Sequence, residues 1–483
     1  MTDEAMPNSH QHALSLPEGK TLEFKRDLSS PRPLLKTLVA FANTAGGRLI
    51  IGVDDKHQIL GVPEPLDEEE RLCSLIADSI SPRLVPNVEM FTVDGKTLLV
   101  VEVYASGERP HWLKAEGHEQ GVYVRLGSTN RQADQSLIEE LRRSAGGIAF
   151  DEMAMLALSQ DDLDLAAAQK QFQGVRTLDE QGLLTLKLLN RQQGLLVPTK
   201  GAVLLFGKTR TQHFSDAWVQ CGRFVGTDKA AIFDHIDIDE HLPQAVDSIM
   251  LFLKKHAMRG AEFSASRRKD VWSIPLTILR EVVINALVHA DYSQRGAPIR
   301  IAFFDDRIEI ENPGILLPGM TVEDMRQGVS KIRNHVIARV FRELNLIEQW
   351  GSGVRRIFRE AEEQGLPEPQ IMELGMRVRV VVHLAEAIRP VQVTEQVTEQ
   401  VTEQVTEQVA RFIECLKQGP LSTREAMERL VLQHRPTFSA NYLLPALNAG
   451  LVEMTQPESP KSPTQKYRLI APASRSGRAH KKD

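Results

Sequence analysis

The sequence predicts a multidomain protein of mixed α and β structure, an α/β or α+β arrangement. Three observations predict it. At 483 residues the chain is long for one domain, and ordinary domain sizes imply about three or four. Hydrophobic residues make up 42% and charged residues 25%, the composition of an ordinary globular protein. Period-2 apolar runs, which mark strands, alternate along the chain with runs of helical period.

Charge and cysteine usage narrow the function classes. A net charge of −6 gives no global nucleic-acid signature, so any such surface must be local. Cys73, Cys221 and Cys415 are isolated and odd in number, as reduced thiols are, rather than a disulfide framework or a metal site. The first residues carry Asp3 and Glu4 and no apolar core, unlike a signal peptide. No apolar run approaches the roughly 20 residues of a membrane span. A cytoplasmic protein with no membrane partner is expected.

The first domain is expected over residues 14–145. Thr21 to Lys25 reads as a strand, Pro33 to Asn43 as a helix opening after prolines, and Arg48 to Val53 as a buried strand entered through Gly46 and Gly47. Strands also fit Thr97 to Tyr104 and Gly121 to Leu126, and a closing helix fits Gln135 to Arg143. The blocks E-G-K-T-L-E-F-K (Glu18 to Lys25), F-A-N-T-A-G-G-R-L-I-I-G-V-D-D (Phe41 to Asp55) and Y-V-R-L-G-S-T-N (Tyr123 to Asn130) occur in that order. They resemble the Schlafen AlbA_2 domain, a nucleic-acid-associated module. In Schlafen members that cut RNA, the resemblance implies a metal held by the residues matching Glu18, Glu23 and Asp54. Three carboxylates can hold a hard divalent cation for phosphodiester hydrolysis. A plainer reading stands beside it: Glu23 and Lys25 share a strand face and can pair, and Asp54-Asp55 can be a turn. Lys25, Arg125 and Arg131 are the expected nucleic-acid contacts.

Residues 146–271 read as a connector of mixed structure, with helices over Asp161 to Gln173 and Leu178 to Leu189. Ala202 to Thr209 formally fits a loose P-loop. Val203 to Phe206, however, reads as an apolar strand where a phosphate cradle needs a flexible glycine-rich loop. No helicase motor is therefore expected. Asp234, His235, Asp237, Asp239, Glu240 and His241 cluster without the spacing of a metal template, and are expected in a solvated loop and helix start.

The third domain is expected over 272–386 and centres on Arg280 to Tyr292, R-E-V-V-I-N-A-L-V-H-A-D-Y. Apolar residues occupy nearly the whole helical circumference, which predicts burial on most sides. Glu281, Asn285 and His289 recur every four residues and line the one polar stripe. A buried carboxylate and amide need partners, so this stripe meets either a ligand or a structural polar network. Ile299 to Phe304 and Arg307 to Glu311 predict a hairpin, ending in the turn Asn312-Pro313-Gly314. Ser330, Arg333 and Asn334 follow, then Gly351-Ser352-Gly353 before the helical pattern Val354 to Gln364.

This order resembles the histidine-kinase-like (GHKL) ATPase fold, an α/β sandwich shared by gyrase, Hsp90, MutL and sensor kinases. It is most similar to the divergent branch found in helicase-related transcriptional regulators. The resemblance, over roughly Ser273 to Leu384, implies an ATP site formed by Glu281, Asn285, His289, Asp291, Asn312, Gly314, Ser330, Arg333, Asn334, Gly351 and Gly353. Glu281 would orient or deprotonate the attacking water, Asn285 would hold Mg²⁺ on the phosphates, and the two glycines would let backbone approach them. Phosphoryl transfer needs such positioning and a cation more than covalent chemistry. One departure concerns adenine: the larger superfamily reads its amino group with an aspartate, where this chain has Asn312, an uncharged acceptor.

Residues 387–408 contain Val-Thr-Glu-Gln four times in succession, a low-complexity stretch expected to act as a linker. Over 409–470, three helices (Val409 to Gln418, Thr423 to Leu430 and Ser439 to Ala449) and a strand pair (Leu451 to Met454 and Gln465 to Leu469) look like a winged helix-turn-helix. From Lys461 to Lys482 there are seven Lys or Arg and no acid, so this end and the tail 471–483 supply a local basic surface. The expected protein is an ATP-binding, nucleic-acid-binding regulator, with DNA rather than RNA as partner and a homo-oligomer, such as a dimer, as its assembly. ATPase activity is open. A Schlafen-like nuclease acting in defence and a degenerate ATPase-fold dimer scaffold are the alternatives.

Overall fold

The computed structural model describes residues 10–264, 267–347 and 353–385, together with 409, 411–417, 419–430, 432, 438, 442–443, 446–447, 451–456 and 465–469. It divides into two compact units, Met1–Ile388 and Arg389–Asp483. No helix among the described residues is long and apolar enough to cross a membrane.

The first unit opens with a four-stranded sheet. Strands β1 (Leu22–Lys25) and β2 (Gly47–Ile51) run parallel and are bridged by helix α1 (Pro31–Asn43). Proline at the start of α1 suits a position whose N–H has no helical partner. After α2 (Pro65–Ser79), the hairpin β3 (Asn87–Val93) and β4 (Lys96–Val103) completes the order β1-β2-β4-β3. Its turn is Asp94-Gly95, with φ of 51° and 74°, the left-handed pair that a tight hairpin requires. Leu34, Leu38, Phe41, Leu49, Ile51, Leu99 and Val101 fill the core between α1 and the sheet. A second hairpin, β5 (Tyr123–Leu126) and β6 (Thr129–Gln132), leads into α3 (Gln135–Ala145), capped by the Asp134 carboxylate at 2.8 Å from the Leu137 N–H.

The connector differs from its sequence reading in three places. Asp161 to Gln173 is a short 3₁₀ turn, Gln160–Asp162, and then a helix, Leu165–Gln171, because Asp164 caps a fresh start. Leu178 to Leu189 holds only the helix Glu180–Thr185, after which Lys187 takes φ +58° and the chain turns into a strand, Leu189–Gln192. Val203 to Phe206, expected as a strand, belongs to helix α4 (Lys200–Phe206), capped by Thr199. Gly201 to Phe206 are all buried, and a short continuous apolar run carries no periodicity to separate helix from strand. The P-loop-like pattern thus starts on a buried helix.

Next come β7 (Val219–Val225), β8 (Ala231–Ile238) and α5 (Leu242–Ala257). Of the acidic and histidine cluster expected in a solvated loop and helix start, Asp234, His235 and Asp237 lie on β8, an edge strand exposed along most of its length, while Asp239, Glu240 and His241 lead into α5. The buried helix α6 (Leu276–His289) packs on α5 and is followed by the predicted hairpin β9 (Ile299–Phe303) and β10 (Arg307–Pro313). Helices α7 (His335–Glu343) and α8 (Gly353–Glu363) and strands β11 (Gln370–Leu374) and β12 (Arg377–His383) complete the unit. The result is one six-stranded sheet, β8-β7-β9-β10-β12-β11. Its β7–β9 pair is parallel, in register from Val219 with Ile299 to Arg223 with Phe303. The sheet is therefore continuous across the expected boundary between 271 and 272.

In the second unit, Ser422 and Glu425 form a reciprocal cap on α9 (Thr423–Arg429), and β13 (Val452–Met454) pairs with β14 (Tyr467–Leu469). Phe412, Phe438, Tyr442 and Val452 lie in its core. Most of the third expected helix, the four-fold repeat and the basic tail lie outside the described residues.

Candidate functional site

Helix α6 is apolar on nearly every side because it is sandwiched, with Leu279, Val283 and Leu287 in the main core. Its polar stripe faces a cavity of about 330 Å³. Glu281, Asn285 and His289 line that cavity with Asn312 of β10, Ser330 and Arg333 of the segment before α7, and Gly353 of α8. The remaining wall is apolar, including Ile310, Leu317, Met320, Met325, Ile357 and Val380. A mostly apolar pocket with a few convergent polar groups is the usual form of a small-molecule site.

The polar groups are tied to one another. The Asn285 amide donates to Glu281 Oε1 at 3.3 Å, and Arg356 donates to Glu281 Oε2 at 2.8 Å. Gly353 opens α8 directly against the Glu281 side chain, where an ideal Cβ would stand 2.5 Å from Cδ. His289 faces the cavity yet is sunk deep enough that burial pushes its pKa down to about 4. It is therefore a neutral imidazole at neutral pH.

Other predicted residues support the site from behind. Asn334 donates to the carbonyls of Val288 at 2.8 Å and Ala290 at 2.7 Å, closing the C-terminal end of α6. The Asp291 carboxylate accepts from Ser293 N at 3.0 Å, Ser293 Oγ at 2.6 Å and Gln294 Nε2 at 3.1 Å, so it organises a turn. Gly314, at φ +104°, lets the chain pass between Asp291 and the Arg333 guanidinium, which an added Cβ would meet at 3.0 and 3.2 Å. Asn312 donates to the Pro313 carbonyl at 3.2 Å. Arg333 is buried, pairs with Glu140 of α3 and donates to the Ile315 carbonyl. Gly351 lies outside the described residues.

Sequence reasoning missed three partners. Arg356, one turn into α8, had only its place after the glycine pair as a signal. Glu140 lies on a surface-like stretch of a different domain. Asp151, in an unremarkable Phe-Asp-Glu triplet, accepts from the backbone N–H groups of His335 (3.0 Å), Val336 (2.7 Å) and Ile337 (3.0 Å) at the start of α7. Burial pushes its pKa up to about 6, opposed by those hydrogen bonds. A raised acid pKa favours the folded state at acid pH, and that contribution is lost as pH rises through about 6. On lowering the pH from 7 to 5, the native chain is expected to gain about 1 kcal/mol that Asp151→Asn does not gain. Urea denaturation at the two pH values measures the difference, and equal gains in both proteins would refute it.

The first domain distributes its predicted residues differently. Arg125 is 1% exposed, with its guanidinium on Glu23 Oε2 at 2.5 Å, on the Gly19 carbonyl at 3.0 Å and on Asn130 Oδ1 at 3.0 Å. It is an internal strut here, because a guanidinium with all these acceptors needs no solvent. Lys25 pairs with the other oxygen of Glu23, and Arg131 is exposed. Glu18 accepts the Phe24 N–H at 2.9 Å, and Asp54 accepts from Lys56 N at 2.9 Å and Gln58 N at 2.8 Å, closing a turn. Among the described residues, no group of three or more acidic, histidine or cysteine side chains is placed to hold a metal.

Three family models match parts of the chain. Residues 18–134 match the family model "Schlafen, AlbA_2", residues 296–382 match "Putative ATP-dependent DNA helicase recG C-terminal" (HATPase_c_4), and residues 407–470 match "Filamentation induced by cAMP protein Fic-like, C-terminal domain". The protein is thus one that joins an AlbA_2 domain to an ATPase-like domain. Among solved structures, the N-terminal domain of a "Putative ATP-dependent DNA Helicase RecG-related Protein" from Nitrosomonas europaea is 31% identical. That match covers 28% of this chain and 94% of that one, with a TM-score of 0.22. The DIP2311 protein from Corynebacterium diphtheriae is 19% identical over 96% of each chain, TM-score 0.42. A Fic family protein from Desulfovibrio desulfuricans is 17% identical over 72% of this chain and 78% of that one, TM-score 0.14. No curated protein matches the sequence.

Proposed function

We propose that this protein is an ATP-responsive, nucleic-acid-binding regulator, in which the cavity beside α6 takes ATP with Mg²⁺. The observation that carries the reading is convergence: Glu281, Asn285, Asn312, Ser330 and Gly353, spread over four segments, line one cavity with apolar walls. The apolar side suits a purine base, with Asn312 at hand as a hydrogen-bond partner. The start of α8 supplies unpaired backbone N–H groups for phosphate oxygens. With its amide nitrogen turned to Glu281, Asn285 offers its carbonyl oxygen to a hard cation. When bound, Mg²⁺ neutralises charge on the phosphates. Glu281 is the candidate to orient water, and Arg356 holds its carboxylate in place.

Nucleotide occupancy would act on the segment from Ser330 to Asn334, and through Arg333 on the AlbA_2 domain. Coupling of that kind requires different nucleotide affinity in the free and nucleic-acid-bound states. The C-terminal domain would add a DNA-binding winged helix, supported by its capped helix, its strand pair and the basic sequence around it. Calorimetry with ATP and Mg²⁺ tests the central step. Saturable binding by the native chain is expected, weakened about tenfold or more in Asn285→Ala, a loss of roughly 1.4 kcal/mol. No binding by the native chain, or equal binding by the variant, sinks the reading.

A further inference from the structure

A second cavity, of about 840 Å³, opens on the other side of the Asp291 turn. It lies in the first unit where α3, the Phe150 turn, the start of α4 and the chain after α6 meet. Its electrostatics are unusual. Lys200 Nζ sits 4.0 Å from the centroid of the Phe150 ring, and the Arg143 guanidinium carbon sits 5.3 Å from the same centroid. Two cations thus share one aromatic ring.

Among the described residues, neither cation has a carboxylate closer than 3.9 Å. Among the described residues, Lys200 has no carboxylate within 4 Å; its neighbours are the Phe150 ring and Met153 Sδ at 3.6 Å. Arg143 reaches only Glu139, at 3.9 Å, and its Nη2 is buried without a hydrogen-bond partner. Burial, and then the charge of Arg143, pull the Lys200 pKa below the usual lysine value, with Glu139 offsetting part of the effect. Along the adjoining cavity, which Arg143 also lines, half-buried Arg109 donates, among the described residues, to Ser144 Oγ and the Ser106 carbonyl. Partly desolvated cations without anions are costly, and the cost is removed when an anion enters between them. Asp216 and Asp291 also line the larger cavity, but they are engaged elsewhere. Asp216 accepts the Gly296 N–H at 2.9 Å, and Asp291 holds its own turn.

We propose that this cleft is a phosphate site, in which Arg143 and Lys200 clamp a phosphate group beside Phe150 and Arg109 continues the basic track. The shared chemistry is a phosphate ester. Its source is either the backbone of a single nucleic-acid strand or a small free phosphate compound. The position between the AlbA_2 domain and the ATPase-like sheet would make the occupant a bridge between the two. The proposal does not depend on the nucleotide cavity.

The test uses the full chain without nucleotide and two probes, inorganic pyrophosphate and a labelled single strand of about 12 nucleotides. Native protein is compared with Lys200→Gln and Arg143→Gln at several salt concentrations. Affinity for at least one probe is expected to fall about tenfold in each variant, and for the strand the salt dependence is expected to flatten by about one ion per cation removed. Loss for the strand alone identifies a nucleic-acid track, loss for pyrophosphate alone a small-molecule seat, and loss for both a seat that accepts either. If the native chain binds neither probe, or folded variants bind both as the native chain does, the proposal is overturned. Should Arg143→Gln not fold, Lys200→Gln decides, with Lys200→Arg expected to restore binding.

Discussion

Arg333→Ala is expected to destabilise the first unit by about 3–5 kcal/mol, the usual cost of removing one partner from a buried ion pair. Arg333 is buried between Glu140 of α3 and the Ile315 carbonyl. Burial pulls its pKa down to about 10, which still leaves it protonated at neutral pH. Without the guanidinium, the Glu140 carboxylate is stranded, and its Oε2 already lacks a hydrogen-bond partner. The Ile315 carbonyl loses a donor as well. Replacing both charges, as Arg333→Met with Glu140→Leu, is expected to recover most of the loss, because burying two apolar groups carries no desolvation penalty for charge. Denaturant unfolding of the native chain, Arg333→Met, Glu140→Leu and the double variant closes the double-mutant cycle. A cost below about 1 kcal/mol for Arg333→Ala would show that the pair is solvated in solution.

The same pair marks the limit of what the sequence could reveal. The α6 stripe was legible because its periodicity is local: Glu281, Asn285 and His289 fall on one face whatever the tertiary fold. The β9–β10 hairpin and the Asn-Pro-Gly turn were legible for the same reason, and so were the AlbA_2 blocks. The pairing of β7 with β9, by contrast, joins segments far apart in sequence and depends on a parallel register that no local pattern encodes. That is why residues 219–238 read as part of a connector although they extend the sheet behind the candidate site.

Charged residues were the least legible. Arg125 on a strand reads as a solvated contact for nucleic acid, and only the convergence of Glu23, the Gly19 carbonyl and Asn130 makes it an internal strut. Asp151 carries no local signal in the sequence, and becomes the cap of α7 because three backbone donors meet it. Gly201 illustrates the reverse case. It sits in a helix, where glycine is a poor former, yet a Cβ there would stand 2.6 Å from Val336 Cβ. The close packing of α4 on α7 requires it.

Gly353→Ala is expected to separate the stability of the fold from the competence of the nucleotide cavity. Alanine is a better helix former than glycine by about 0.5–1 kcal/mol in a helix interior, so α8 itself has no reason to weaken. The added methyl would instead press on Glu281, overlapping Oε1 and standing 2.5 Å from Cδ and 3.3 Å from Cγ. Glu281 must then swing away, giving up Arg356 at 2.8 Å and Asn285 at 3.3 Å. ATP affinity is expected to fall about tenfold or more, while the melting temperature moves by only a few degrees. The diagnostic comparison adds Glu281→Ala. Once that carboxylate is gone the methyl has nothing to displace, so the double variant should bind ATP no worse than Glu281→Ala alone. Additive losses would mean that Gly353 acts on the phosphates through its backbone and not through Glu281. Unchanged affinity in Gly353→Ala would mean that Glu281 can leave its place freely, and that its tie to Arg356 does not position the site.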